Sequence, residues 1–162
     1  MVLVFIQPII NENILNKKNS KMIYITRRLE FCASHRLYNP EFSDEKNETT
    51  FGLCNNPNGH GHNYVLEVTV KGEVEPQTGM VLDLKALKKL INEEIVSKVD
   101  HKNLNVDVDF LEGVIPTAEN IAIHIWDILE PKIESGTLHE VKLFESERNF
   151  VVYHGAAIER PN

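Results

Sequence analysis

His60-Gly61-His62 sets two imidazoles two residues apart in the segment His60-Gly-His-Asn-Tyr-Val-Leu-Glu-Val-Thr-Val70, where His60, His62, Tyr64, Leu66, Val68 and Val70 share one parity. On a strand that spacing points both rings to one side, so they can converge on one metal ion. The pair alone is equally compatible with an accident of composition or a hydrogen-bonded couple. His35 adds to it: Ile23, Ile25, Leu29 and Phe31 alternate with more polar residues, and the same phase carried forward ends on His35. A third imidazole at the end of a neighbouring strand gives a three-histidine set with an open fourth position, the arrangement of a catalytic zinc. A bulge near Cys32 would shift that phase.

Cys54 stands six residues before His60 in the polar turn Leu53-Cys54-Asn55-Asn56-Pro57-Asn58-Gly59. A thiol there is reachable and suits a general base or a nucleophile; a fourth metal ligand and an inert loop cysteine are the alternatives. Thiols titrate near ~8.5 and need a cationic or metallic neighbour to ionise at neutral pH. Asp100-His101 offers such a neighbour, with the carboxylate orienting an imidazole that exchanges a proton with sulfur, although Asp-His in a loop also serves simply to cap a turn. Glu145 shares the parity of His139, Val141 and Leu143, which aims it at an apolar face or pocket unless it is merely solvated. If it points inward it needs a planar donor pair, such as the amidine edge of a heterocycle. No G-x-G-x-x-G or G-x-x-x-x-G-K-[ST] motif is present, and His139-Glu140 lacks the second histidine of H-E-x-x-H.

The elements that must position these groups are legible. Strands are expected from about residue 22 to His35 and from His60 to Val70, then a helix capped by Asp83 with the stripe Leu84, Leu87, Ile91 and Ile95. Thr117 caps a second helix through Ile121, Ile125, Trp126 and Leu129, ended by Pro131. A hairpin of Leu138 to Ser146 with Phe150 to His154 closes the chain. Residues 36 to 59 and Val99 to Pro116 read as long loops. The order strand, strand, helix, helix, strand, strand predicts an α+β fold, a four-stranded antiparallel sheet with two helices on one face.

Taken together, Phe31-Cys-Ala-Ser-His35-Arg-Leu, Phe51-Gly-Leu-Cys54-Asn-Asn-Pro-Asn-Gly-His60-Gly-His62-Asn-Tyr, Gly79-Met80, Asp100-His101-Lys-Asn-Leu104, Thr117-Ala-Glu119-Asn and Glu145 with Val152-Tyr153 resemble the 6-pyruvoyltetrahydropterin synthase family, in the same order from about residue 22 to 155. The resemblance implies that His35, His60 and His62 hold zinc, that Cys54 is the catalytic base with Asp100 and His101 as its relay, and that Glu145 anchors a pterin assisted by Thr117 and Glu119. It also implies the tunnelling fold: the sheets of three subunits close a barrel by oligomerisation, two such trimers stack into a homohexamer, and active sites lie between subunits. Magnesium is expected to support activity through the substrate's triphosphate. The expected reaction converts 7,8-dihydroneopterin triphosphate to 6-pyruvoyltetrahydropterin, in tetrahydrobiopterin biosynthesis. Ala118 departs from the hydroxyl residue that animal members tend to carry, and Arg36 is a candidate for holding triphosphate. Two other activities compete. The 6-carboxytetrahydropterin synthase of the queuosine pathway shares fold, zinc and substrate, but the five residues between Cys54 and His60 match the longer pyruvoyl form. A noncatalytic zinc-stabilised pterin-binding module would have no need of Cys54, Asp100 and His101 together.

Composition agrees with one ordinary domain. The 162 residues are 42% hydrophobic and 25% charged, with 8 Gly and 7 Pro, which excludes low-complexity and collagen-like chains. Seventeen Lys+Arg against 24 Asp+Glu give a formal charge of -7, so neither nucleic acid nor an anionic membrane is an expected partner. Cys32 and Cys54 are too few for a disulfide framework, and the apolar Met1 to Ile6 is cut short by Gln7-Pro8, so a cytoplasmic location is expected. Residues 1–21 read as an appended arm, 22–155 as the pterin synthase domain and 156–162 as a tail. Asn47-Glu48-Thr49 matches a glycosylation acceptor at the level chance supplies.

Overall fold

A computed structural model describes residues 21–156, so the expected arm and tail lie outside the described residues except for Lys21 and Ala156. Strand β1 (Met22–His35) and strand β2 (His60–Glu73) pair antiparallel in one unbroken register from Met22↔Glu73 to His35↔His60, with no bulge at Cys32. Because the register is continuous, every odd residue of β1 and every even residue of β2 share a face. Phe31, Ala33, Tyr64, Leu66, Val68 and Val70 are buried there, at roughly 1.5–3 kcal/mol for each large side chain.

Helix α1 (Asp44–Phe51) occupies part of the expected long loop, and is the first departure from the two-helix reading. Its residues are almost all polar, so no apolar stripe announces it. What starts it is the Ser43 hydroxyl, which accepts from the Lys46 N–H, with Asp44 and Glu45 in the first turn. Asn47 then ties the preceding chain to the helix. Its Oδ1 accepts from the Asn39 N–H at 2.8 Å, and its Nδ2 lies 3.0 to 3.3 Å from the carbonyls of Asn39, Phe42 and Ser43. With no exposed surface and its amide fully engaged, Asn47 is a structural staple and no sugar acceptor.

Helix α2 (Leu84–Ile91) begins at the expected Asp83 cap, whose carboxylate accepts from the Lys85 N–H. It runs on through a π-helical turn (Asn92–Val96) and a last helical turn (Ser97–Val99). Leu87, Ile91, Ile95 and Val99 are buried, whereas Leu84, expected in the stripe, is exposed. Strand β3 (Lys102–Asn103) lies parallel to β1 at Ala33 and Ser34, inside the second expected loop. Helix α3 (Ala118–Leu129) buries Ile121, Ala122, Ile125, Trp126 and Leu129.

Strands β4 (Thr137–Phe144) and β5 (Phe150–Tyr153) complete a five-stranded sheet in the order β3-β1-β2-β4-β5, in place of the expected four. The β2–β4 register shifts where Thr69 meets Glu140 and Val70 meets Leu138. His139 is the extra residue. The bulge turns Leu138 into the core and leaves the His139 ring edge-on to Tyr24, at 4.7 Å between centroids, so His139 does not share the face of Val141 and Leu143. No helix among the described residues is long and apolar enough to cross a membrane.

Candidate metal centre and active site

The uninterrupted β1–β2 register brings three histidines to one end of the sheet. His35 and His60 are cross-strand partners, and His62 follows two residues along the same face. Gly59 makes the entry possible: its φ is +69°, and a Cβ there would stand 2.8 Å from the His35 carbonyl oxygen. The ligand atoms of His35, His60 and His62 all lie within 4.8 Å of one another. The His35 Nδ1 is 2.7 Å from the Pro116 carbonyl, which fixes its proton there and leaves Nε2 free. That Nε2 faces the His60 Nε2 at 3.2 Å. His62 Nε2 and His60 Nδ1 are buried without a hydrogen-bond partner among the described residues. Three imidazoles whose ligand atoms lie this close, with His62 Nε2 buried and unpartnered among the described residues, form a side-chain set that fits a metal of the zinc type.

Burial is the first cause that holds the His35 and His62 pKa values below the ordinary imidazole range, with the neighbouring imidazoles adding to it and Glu145 opposing it. Tyr64, fully buried beneath the cluster, has its hydroxyl 3.4 Å from His35 Nδ1. Its pKa is pushed up, first by burial and then by the neighbouring Glu145 carboxylate. Cys54 is held to the segment that follows His35. Its carbonyl accepts from the Leu37 N–H at 2.8 Å, which ties the short 3-10 turn Gly52–Asn55 to the chain just past His35.

Glu145 follows the last residue of β4, and its N–H donates to the Asn149 carbonyl to close the hairpin. Its Oε1 lies 3.5 Å from His35 Nε2 and 3.6 Å from His62 Nε2. It also lines a cavity of about 520 Å³ with Thr117, Glu119, Leu37, Phe51 and Arg148. Thr117 caps α3 through its Oγ1, which accepts from the Asn120 N–H. Phe51 opens one of the segments that carry the family resemblance, whereas Arg148 belongs to none of them. Arg36 is engaged locally: Nε and a terminal nitrogen donate to Asn55 Oδ1, at 3.2 and 2.9 Å, and the guanidinium lies over the Tyr38 ring.

Asp100 and His101 sit elsewhere, on the outer edge of β1. Asp100 Oδ1 accepts from the Cys32 N–H at 2.8 Å, and the His101 N–H donates to the Cys32 carbonyl. Asp100 Oδ2 is 3.0 Å from His101 Nδ1. The Cys32 N–H, and then His101, hold the Asp100 carboxyl below the usual carboxylate range. His101 has φ +58°, a left-handed conformation rare for a non-glycine residue, and an imidazole that is 81% exposed. No hydrogen bond or ion pair joins this pair to Cys54 among the described residues.

Residues 24–156 match the family model described as 6-pyruvoyl tetrahydropterin synthase. The chain belongs to that family. It is 52% identical over 131 residues to human 6-pyruvoyl tetrahydrobiopterin synthase, covering 81% of this chain and 90% of the human one. The enzyme of the same name from Dictyostelium discoideum is 47% identical over 136 residues, covering 84% of this chain and 98% of its own. The solved structure of Caenorhabditis elegans 6-pyruvoyl tetrahydropterin synthase superposes with a TM-score of 0.80 at 40% identity, covering 85% of this chain and 98% of the other. The family match thus spans the α+β fold and every segment that carries the three histidines.

Proposed function

We propose that the chain converts 7,8-dihydroneopterin triphosphate to 6-pyruvoyl-tetrahydropterin with elimination of triphosphate, using zinc held by His35, His60 and His62. The carrying observation is the convergence of three imidazoles beside a cavity walled by Glu145, in a family member. Bound there, the metal supplies Lewis acidity to the hydroxyls of the substrate's side chain, worth several kcal/mol. Glu145 accepts from the pterin's amidine edge, with Thr117 and Glu119 beside it. Cys54 takes a proton from side-chain carbon, and His101, oriented by Asp100, passes it on. Electrons move within the substrate, since protons lifted from the side chain are returned to the ring, and no external redox cofactor is required.

Among the described residues of one chain Asp100 and His101 bond to Cys32 and to each other, with no bond to Cys54, and in this reading a second copy completes the relay. Open edges support it. Strand β3 pairs with β1 only at Ala33 and Ser34, and β5 pairs only with β4 among the described residues. Sheets of three copies joined along such edges close the barrel of the tunnelling fold, and two rings make a hexamer. Magnesium acts through the triphosphate of the substrate, and residues 22–155 form the catalytic domain.

Anaerobic incubation with dihydroneopterin triphosphate, followed by mass analysis of the pterin, tests the reading. A pyruvoyl product with one triphosphate released is expected. A carboxy product with acetaldehyde transfers the chain to the queuosine-type reaction, and unchanged substrate leaves a binding module.

A further inference from the structure

Arg27 is a cation set among the apolar positions of β1. It shares the parity of Ile25, Leu29 and Phe31, and its Nε is buried with no hydrogen-bond partner among the described residues. Arg28, on the opposite face, reaches Glu67 at 3.3 Å. The reverse anomaly stands at the end of α3. Asp127 lies in its last turn and Glu130 is its C-cap, both at the negative end of the helix dipole, and no basic residue occupies that turn. Lys132, two residues further on, is taken by Glu94 at 2.8 Å. Asp127 and Glu130 line a cavity of about 590 Å³ with Trp126 and Tyr153, beside β5.

Both anomalies border an open sheet edge. Alongside β1 from Met22 to Phe31 no strand pairs on the outer side among the described residues, since β3 meets β1 only at Ala33 and Ser34, and β5 pairs only with β4. Across the sheet Arg27 is level with Val68, Val141 and Tyr153 in one row. Joining β1 of one copy to β5 of another continues that row into the second copy. There the Trp126 ring of α3 lies edge-on to Tyr153 at 5.5 Å between centroids, so the end of α3 covers the face that Arg27 shares. A stagger between copies moves the row by whole pairs of residues and leaves the faces unchanged.

We infer that Arg27 is the cation of a junction between copies, its guanidinium meeting the carboxylates of Asp127 and Glu130 of a second copy. The junction rests on the edge-joined assembly proposed above, whose register it sets. Within one copy neither side has its counterpart. Across the junction a buried donor, two carboxylates and the negative end of a helix satisfy one another. Cys32, which anchors Asp100 and His101, lies five residues along the same edge. The contact that joins the copies thereby also sets where Asp100 and His101 stand against the second one.

The test uses the full chain with Arg27→Lys, which keeps the charge and supplies an amine for a zero-length carbodiimide, assembled from a mixture of isotopically heavy and light copies. Mass analysis is expected to find position 27 joined to Asp127 or Glu130 between a heavy and a light copy. Absence of any such link between copies overturns the inference. A second arm does not depend on that variant. Association, read by sedimentation at stepped concentrations, should weaken about 30-fold or more in Asp127→Arg with Glu130→Arg, because truncating one side of a desolvated charge pair costs that much. Cations suit the end of α3, so urea unfolding should show the single copy no less stable. Adding Arg27→Glu to the same chain exchanges the charges and is expected to restore association. Unchanged association in the double variant, or none regained in a folded exchanged chain, also overturns the inference, while the proposed reaction, read from the pterin product, stands. A wild-type chain that is monomeric at every concentration removes the junction and the second-copy relay together.

Discussion

The histidine cluster and the Asp100–His101 corner are built in opposite ways from the same strand. His35 and its partners lie on the buried face of β1, fixed by fourteen-residue strands in unbroken register and by the Pro116 carbonyl. Asp100 and His101 hang on the outer edge of β1 at Cys32 by two backbone contacts, exposed and with a left-handed residue at their centre. In the proposed reading, the difference is that one chain assembles the side chains of a metal site without joining those of the proton relay. A ligand set needs only convergent side chains, and the sheet supplies them. The proposed relay needs a path to Cys54, and no hydrogen bond or ion pair among the described residues of one copy provides it.

The largest expected effects break the first region. His60→Ala or His62→Ala should lower metal affinity by well over ~100-fold, more than loss of an outer-shell partner costs, with turnover lost as well. Metal analysis of the purified variants checks this, and circular dichroism should show the fold retained. Full metal content in both variants would remove the cluster from the chemistry. Cys54→Ala should retain metal yet lose turnover by about 10²–10⁴-fold, the range for a missing general base. Loss of metal in that variant would make the thiol a ligand.

The second region is sharpened by mixing subunits. Cys54→Ala and His101→Ala should each be inactive alone, but after joint unfolding and refolding some interfaces carry an intact Cys54 opposite an intact His101. Partial recovery of turnover is the expected result if the relay crosses between copies. No recovery, in assemblies shown to contain both variants, would place the relay within one chain.

Much of the first region was readable in the sequence, because a period of two along β1 and β2 determines which side chains share a face. The phase that ends on His35 and restarts at His60 needs no information from outside those two strands. The bulge at His139 was not readable, since it arises from the pairing of β4 with β2 and leaves no local mark. Helix α1 was missed for another reason. Its residues are polar all round, and only Ser43 with the acids after it signalled a start. Strand β3 is two residues long, too short for any alternation to register. The parity of Glu145 leaves an inward and a solvated carboxylate both open, and its approach to the histidines depends on the hairpin that closes against Asn149. Asp100 and His101 are visible as a pair, but their anchoring on Cys32 is not, because where a loop meets a sheet edge is a property of the whole sheet.

A mutation at the junction of site and core gives a smaller effect. Thr117→Ala should cost about 1 kcal/mol, because its hydroxyl caps α3, and it should also weaken pterin binding if that hydroxyl faces the ligand. Chemical denaturation and pterin titration of the same variant separate the two. A stability loss with unchanged affinity would confine Thr117 to the cap.

The smallest expected effect, and the one that compares the regions most directly, is their response to acid in metal-free protein. The folded pKa values of His35 and His62 are depressed from 6.5, so below about 6.5 the unfolded chain binds protons that the folded chain refuses. Their contribution to stability is present above that pH and is lost as pH falls through the depressed folded values. Asp100 is depressed from 3.8, so its contribution persists down to that range and disappears only as pH falls through its folded value. Its side chain is 38% exposed, and screening keeps that contribution small. Urea unfolding of the metal-free chain at stepped pH should therefore show a first decline beginning near 6.5, and Asp100→Asn should leave that decline unaltered while flattening only the most acid part of the curve. A decline in that range that vanished in Asp100→Asn would mean that the two regions titrate as one, and the separation drawn between them would fail.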